Sequence, residues 1–568
     1  MRSRVQPNLA TAAVIVALTL AGFFRFPGHT FLQSDTQIYL PILEHLRDNS
    51  VFGRELLAQD PHVSFTIYDE VALLLRRVTG LDFEGVLLLE QLVFRALGLL
   101  GVYWIATSMA LRRRMALLVT ATFSLGATIV GPAVLTFEYE PVPRGFAVPL
   151  VLLAVGLVAH GRDLGAGVAA SLAFLYHPPT TLPFWAVYFC LTLVPSRPAV
   201  MKRRILGLAP LFCAVVVLFV LSRLQPGVSE PQDFFSRLSP LMERLQRVRA
   251  PYNWISGWPA TFFAQYVFLL AFTAAAFYRV RRRISEDLRF FAAGMPAAGA
   301  LAVPVSWSLL EKLGWAVVPQ LQPARAALFI TVFAVVLGAA AAMHAATRHR
   351  WWEAALWMLP VCAVPVSQRV FEVLWPNLTD PVTRMRVLVT LLLAAVSAGA
   401  ACSIAARRRW AASALAVTLA LPFLIVPGWA KVVNYPRLHN AELDAVSAWA
   451  RTSTPKDALF VFPDAGRDLS PGVFRARALR ALYVDWKAGG QANFLKDFGY
   501  EWWWRWQKLG AGAFNGADET LYRTLGIDYF VLKASHRLPG RAAVYENAQF
   551  AVYSTTGPGT LEPSHTSP

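Results

Sequence analysis

Asp35, in the run Ser34-Asp35-Thr36-Gln37-Ile38-Tyr39, is the first residue of this 568-residue chain placed to do chemistry on a hydroxyl. It follows the first apolar stretch by a few residues. A carboxylate at the mouth of a helical bundle can act as a general base toward an acceptor hydroxyl, or help to hold a divalent cation. The plain alternative is a helix N-cap, because Asp before an amphipathic run is a common start signal. Glu138-Tyr139-Glu140, followed by Pro141-Val142-Pro143-Arg144, is the second cluster. Two carboxylates two residues apart on an extended backbone share a face and can chelate Mg²⁺ or Mn²⁺, and the prolines favour that backbone. Arg144 can grip a phosphate with two parallel hydrogen bonds, or tie the turn together as an ion pair with a glutamate.

His177, ahead of Pro178-Pro179, is a polar ring near membrane depth, which is either functional or a hydrogen-bonded packing residue. Arg249 and Arg325 sit near span ends, where arginine binds phosphate or snorkels to headgroups. Gln322 is a hydrogen-bonding neighbour for Arg325. Asp69-Glu70 opens an amphipathic helix and is explained by the helix dipole. Trp502-Trp503-Trp504 with Trp506 reads as an interfacial belt, a sugar-stacking platform or packing core. No P-loop, GxSxG, HExxH or dinucleotide fingerprint stands where its mechanism works, so no nucleotide cofactor is evident.

The elements that must position these residues are apolar helices. With 56% hydrophobic and 15% charged residues and a mean hydropathy of +0.45, the composition lies outside the soluble range. At roughly 20 residues per crossing, about 13 spans are expected. They fall near 8–25, 86–110, 115–135, 145–159, 164–176, 181–194, 205–222, 258–278, 290–310, 326–346, 354–370, 386–404 and 411–430. The gaps between them alternate. One kind is short and basic: Arg2/Arg4, Arg112-Arg113-Arg114, Lys202-Arg203-Arg204, Arg281-Arg282-Arg283, Arg348/Arg350 and Arg407-Arg408-Arg409. The other is longer and holds acids, His, Pro and aromatics. Short basic loops stay cytoplasmic, so the N-terminus is expected inside and the polar segments outside, including the long loop 26–85. The net charge of +18 follows largely from these loops. No nucleic-acid module accompanies it. Cys190, Cys213, Cys362 and Cys402 fall inside expected spans and imply neither a disulfide nor a metal framework. Asn377-Leu378-Thr379 is formally a glycosylation sequon.

Beyond residue 430 the composition changes. Asn440–Thr452 and Glu519–Leu525 read as helices, and Ala458–Phe462, Ala481–Trp486 and Tyr529–Lys533 as strands, with a hairpin over Ala543–Tyr553. The expected organisation is a membrane domain 1–430, an extracytoplasmic α/β domain 431–556 and a disordered tail 557–568. The fold class is an all-α polytopic bundle with a small C-terminal α/β domain.

Asp35 just after the first span with Tyr39 four residues on, a dozen or so spans starting inside, and a small outer α/β domain together resemble the GT-C superfamily of membrane glycosyltransferases. Glu138-Tyr139-Glu140 resembles the second acidic motif of oligosaccharyltransferase catalytic subunits. Protein O-mannosyltransferases and aminoarabinose transferases usually carry Asp-Glu at the first motif, where this chain has Asp35-Thr36. Phe474-Arg475, Val484-Asp485-Trp486-Lys487 and Leu525-Gly526-Ile527-Asp528-Tyr529 look like segments of bacterial multi-span proteins. The resemblance implies a bacterial plasma-membrane enzyme that moves a sugar, with inversion, from a polyprenyl-phosphate donor to a glycan, lipid or protein acceptor outside the cell. In that reading Asp35 is the base. Glu138 and Glu140 hold the metal. Tyr39, Arg144, His177, Arg249, Gln322 and Arg325 bind substrate or the leaving phosphate. The competing classes are a transporter or flippase, which would carry ionisable residues deep within spans and related halves, and an inactive scaffold. The clustering of the candidates at outer span ends favours surface chemistry.

Overall fold

The computed structural model describes residues 8–59, 66–224 and 235–556. The basic residues Arg2 and Arg4, part of the loop 26–85, part of the stretch 223–257 and the tail 557–568 lie outside the described residues. The fold class expected from the sequence is the one observed. Apart from the run 115–135, the expected apolar runs coincide with helices, from Leu9–Phe24 through Pro381–Ala405 to the pair Ala411–Ala420 and Pro422–Gly428. Among the described residues seven helices are long and apolar enough to cross a membrane, and shorter apolar helices such as Leu9–Phe24 and Pro143–Ala159 stand among them. The protein is an integral membrane protein on this evidence.

Their outward faces expose large apolar side chains, Phe212, Val267 and Leu356 among them. Such a surface belongs in lipid rather than water. Every residue of Leu328–Ala346 is buried, which makes this helix the centre of the bundle. Helices Phe83–Ser108 and Pro143–Ala159 meet backbone to backbone. A Cβ on Gly101 would lie 2.5 Å from the Leu152 carbonyl carbon, and one on Gly156 2.7 Å from the Gly101 oxygen. Small residues permit this approach within a membrane.

The Arg-rich loops collect at one end of the bundle. There Arg203 and Arg204 pair with Asp287, Arg203 also pairs with Asp163, and Ser285 bonds the Ala159 carbonyl. The acidic and aromatic loops collect at the other end, so the alternation read from the sequence corresponds to two chemically distinct ends.

Two local expectations are corrected. The run 115–135 is not one helix. Helix Arg113–Ser124 ends before Gly126, which has φ +71, and a short hairpin of β1 (Thr128–Ile129) and β2 (Val134–Leu135) follows. Gly131, with φ +89, and Pro132 turn the hairpin, and both resist helix continuation. The stretch 164–194 forms two helices as expected, Asp163–Tyr176 and Pro178–Leu193, which meet at His177. The strand expected over Ala481–Trp486 ends early. The C-terminal sheet contains β3 (Leu459–Val461), β4 (Ala481–Leu482), β5 (Tyr529–Lys533), β6 (Tyr545–Glu546) and β7 (Phe550–Ser554), in the order β4-β3-β5-β7-β6. β3 pairs parallel with β4 and β5, and β7 antiparallel with β5 and β6. The Tyr483 amide still bonds the Phe460 carbonyl of β3, and beyond it the chain leaves the sheet and turns toward the bundle. Within the tryptophan cluster Trp502 and Trp506 are packing core, stacked at 5.8 Å with Trp486 4.8 Å from Trp506, whereas Trp504 is exposed.

Candidate active site

The site forms where the loop after the first helix, the Phe137–Gly145 turn and the C-terminal part converge. Helix Thr36–Arg47 begins at Asp35, yet Asp35 makes no capping bond. Glu140 supplies the cap from a distance. Its carboxylate accepts the Gln33, Ser34 and Thr36 amides at 2.6, 2.7 and 3.0 Å and the Thr36 hydroxyl at 2.9 Å. Charge-assisted bonds of this length satisfy the orphan amides of the helix start and release Asp35 for other work. Burial pushes the Glu140 carboxyl upward against the stabilising bond from the Thr36 amide.

The turn carrying Glu140 is itself fixed by helix Phe83–Ser108. Gln91 and Arg95 donate to the Glu138 carbonyl at 2.8 and 2.6 Å, and Arg95 also reaches the Gly28 carbonyl. Glu138 accepts from Arg144 Nε at 2.8 Å and from the Leu135 amide at 3.2 Å. Arg144 Nη1 then donates to one oxygen of Asp35 at 2.7 Å. The other oxygen of Asp35 takes the Lys487 ammonium at 2.5 Å, and Lys487 also donates to Ser34 Oγ at 3.0 Å. Burial works against the charge on Asp35, but Lys487 and Arg144 prevail and hold its carboxyl well below the usual carboxylate range.

Tyr39 stands one turn on, with its ring 5.0 Å from that of Tyr68. Burial first, then the charge of Asp35, raises its hydroxyl above the ordinary tyrosine range. Arg325, in the short helical turn Pro323–Ala327, lies with its guanidinium 5.5 Å from the Tyr252 ring centre. Its Nε is buried and has no hydrogen-bond partner among the described residues. Arg144 and Arg325 line one small cleft with Glu138, Pro179 and Thr180, against the apolar walls of Val148, Leu328 and Phe329. Gln322 precedes Arg325 in a left-handed conformation, φ +44, and is buried.

Two candidates are engaged elsewhere. Arg249 donates to the backbone carbonyls of Trp486 and Lys487 at 3.0 and 2.9 Å, and so anchors the loop that carries Lys487. His177 Nδ1 accepts from the Thr180 amide and lies 2.8 Å from Thr180 Oγ1, which caps helix Pro178–Leu193 beside the cleft. The chelating pair also reads differently in place. The Glu138 and Glu140 oxygens are taken by arginine, amide and hydroxyl donors. No group of three or more His, Cys, Asp or Glu suited to a metal occurs among the described residues. The residues present do not fit a divalent cation held by this pair.

Lys487 received no role from the sequence, although its segment stood out. Its signal was a lone cation in Asp485-Trp486-Lys487, just where strand β4 gives way to loop.

Residues 441–509, which carry Lys487, match the model of a domain of unknown function (DUF6798). No protein of curated function matches the chain. Three solved structures are similar to it over most of its length. ArnT from Cupriavidus metallidurans in the apo state is 14% identical, over 96% of this chain and 97% of that one, with a TM-score of 0.44. The same protein bound to undecaprenyl phosphate gives 15%, 96%, 97% and 0.44. Arabinofuranosyltransferase AftD from Mycobacteria is 15% identical over 93% of this chain and 35% of that one, with a TM-score of 0.40. At these scores the likeness is one of extent, and no residue role rests on it.

Proposed function

We propose that the protein transfers a sugar from a polyprenyl-phosphate donor to an acceptor hydroxyl at the outer membrane face, with the N-terminus cytoplasmic and the C-terminal part extracytoplasmic. The observation that carries this reading is the cleft. Two guanidinium groups, one with an unpartnered buried Nε, face a space walled by apolar side chains next to an ionised aspartate. A buried guanidinium nitrogen without a hydrogen-bond partner among the described residues suits an anion, and apolar walls beside it suit a lipid phosphate.

In this reading the acceptor oxygen attacks the anomeric carbon from the Asp35 side, and its proton passes to the carboxylate. The bond between that carbon and the phosphate oxygen breaks, and its electron pair leaves with the polyprenyl phosphate. Attack opposite the leaving group inverts the centre. Arg325 and Arg144 stabilise the charge that develops on the phosphate.

The test is turnover of a panel of polyprenyl-phosphate sugars by purified protein, followed as release of polyprenyl phosphate. Wild type is expected to release it from at least one donor. Arg325→Met is expected to raise the donor KM about ten- to a hundredfold, the worth of a hydrogen bond to a charged group. No release from any donor by folded protein would instead favour the transporter reading. Charge neutralisation by arginine and lysine also predicts that transfer persists undiminished in EDTA. A loss restored by Mg²⁺ or Mn²⁺ would return Glu138 and Glu140 to a metal-binding role.

A further inference from the structure

We propose that Lys487 is a transferable counter-ion: it neutralises Asp35 while the site is empty and passes to the donor phosphate when the donor binds. This rests on the reading of the cleft as a donor site.

Asp35 has a cation on each carboxylate oxygen. Each of those oxygens keeps a second lone pair, but an oxygen that a cation has vacated is the more basic site for the acceptor proton. Arg144 is pinned, because Glu138 holds its Nε at 2.8 Å and its Nη2 at 3.3 Å. Among the described residues the other partner of the Lys487 ammonium is the neutral Ser34 hydroxyl. Lys487 is therefore the cation with less to lose.

The loop beneath it is anchored independently of Asp35. Asp485 Oδ2 accepts the Lys487 and Ala488 amides at 3.0 and 3.3 Å. Arg475 holds the other Asp485 oxygen at 2.6 Å and bonds the Gln37 carbonyl at 2.8 Å. Arg249 grips the Trp486 and Lys487 carbonyls. The backbone is thus fixed from three sides, while the ammonium rides on a flexible four-carbon stem. Arg144 touches Asp35 on one side and lines the cleft on the other, so a phosphate seated there would be a neighbour of the same ion cluster.

The exchange gives the site an order of events. Without donor, Asp35 is a poor base, because two cations hold its proton affinity down. With donor, one cation moves to the phosphate, and the carboxylate regains both a free oxygen and basicity. Acceptor activation is thereby tied to the presence of something to attack.

Acetylation of Lys487 by an amine reagent, followed by mass spectrometry on full-length protein, tests this apart from turnover. In Asp35→Asn, Lys487 is expected to become several-fold more reactive than in wild type. Undecaprenyl phosphate, used as the probe, is expected to restore protection over the range in which it binds, and the uncharged prenyl alcohol is not. In parallel, Lys487→Met should weaken undecaprenyl phosphate binding about ten- to a hundredfold and Lys487→Arg should largely preserve it. If the lipid phosphate binds but leaves Lys487 reactivity unchanged, or binds Lys487→Met as tightly as wild type, the exchange is overturned and the donor site stands. If wild type does not bind it at all, the donor-site reading falls and takes the exchange with it.

Discussion

Asp35→Asn is expected to lower kcat about a thousandfold, the middle of the range for losing a positioned acid–base group, with a much smaller effect on the donor KM. The amide is isosteric and keeps the hydrogen-bonding shape, but it cannot take the acceptor proton. Nor does the substitution undo the local fold, because Glu140 rather than Asp35 caps helix Thr36–Arg47. Arg144 keeps Glu138 and Lys487 keeps Ser34. A folded but inactive protein is the expected result, and single-turnover kinetics with the donor in excess measures it. Unimpaired transfer by the variant would remove Asp35 from the chemistry. The pH dependence has a sign of its own. A carboxyl held well below its usual range by two cations stays ionised as pH falls through about 4, where an ordinary aspartate protonates. Its ion pairs stabilise the fold above that range and lose their contribution only at lower pH, as the depressed folded value is crossed.

Arg475→Met is expected to destabilise the protein by about 3–5 kcal/mol, the usual cost of removing one member of a buried ion cluster. Arg475, Glu55 and Asp485 have side chains only 0%, 3% and 1% exposed. Arg475 is the one cation that pairs with both acids. Its loss would leave two buried carboxylates facing each other. Burial already pushes the Glu55 carboxyl upward even with Arg475 beside it. In the variant that rise grows, so the penalty is full at neutral pH and shrinks as pH falls and Glu55 takes a proton. Thermal unfolding in detergent at several pH values reads this directly. A variant as stable as wild type at neutral pH would show the cluster to be dispensable.

The helices and the end of the bundle that carries the site were legible because they depend on local pattern. Apolar runs mark the helices, and basic gaps mark one end. Strand β5 was likewise read at its observed limits, Tyr529–Lys533, from its β-branched and aromatic residues. What was not legible depends on tertiary partners. Glu140 has the same residue type and spacing whether it binds a metal or caps a helix 104 positions away in sequence. Only the identity of its donors decides, and those come from another loop. Lys487 is 452 positions from Asp35, and no periodicity links them. Strand β4 stops at Leu482 although Tyr483-Val484 continues the β-rich pattern, because the buried Arg475–Asp485 pair draws the chain toward the bundle. Arg249 was read as a cation near a span end, but its neighbours, two carbonyls of a distant loop, were beyond local reading.

The single turn that bears Glu138, Glu140 and Arg144 grips both Asp35 and the start of its helix. The spacing between Asp35 and Arg144 is therefore set within one small rigid patch, not by how far apart the spans stand. Bilayers of different thickness make spans tilt or stretch, and such motion would carry this pair along together, like two teeth on one jaw. Lys487 and Arg325 reach the site from separate parts of the chain. Lipid composition would then act on how tightly the donor is held, and would leave the chemical step itself insulated from the membrane around it.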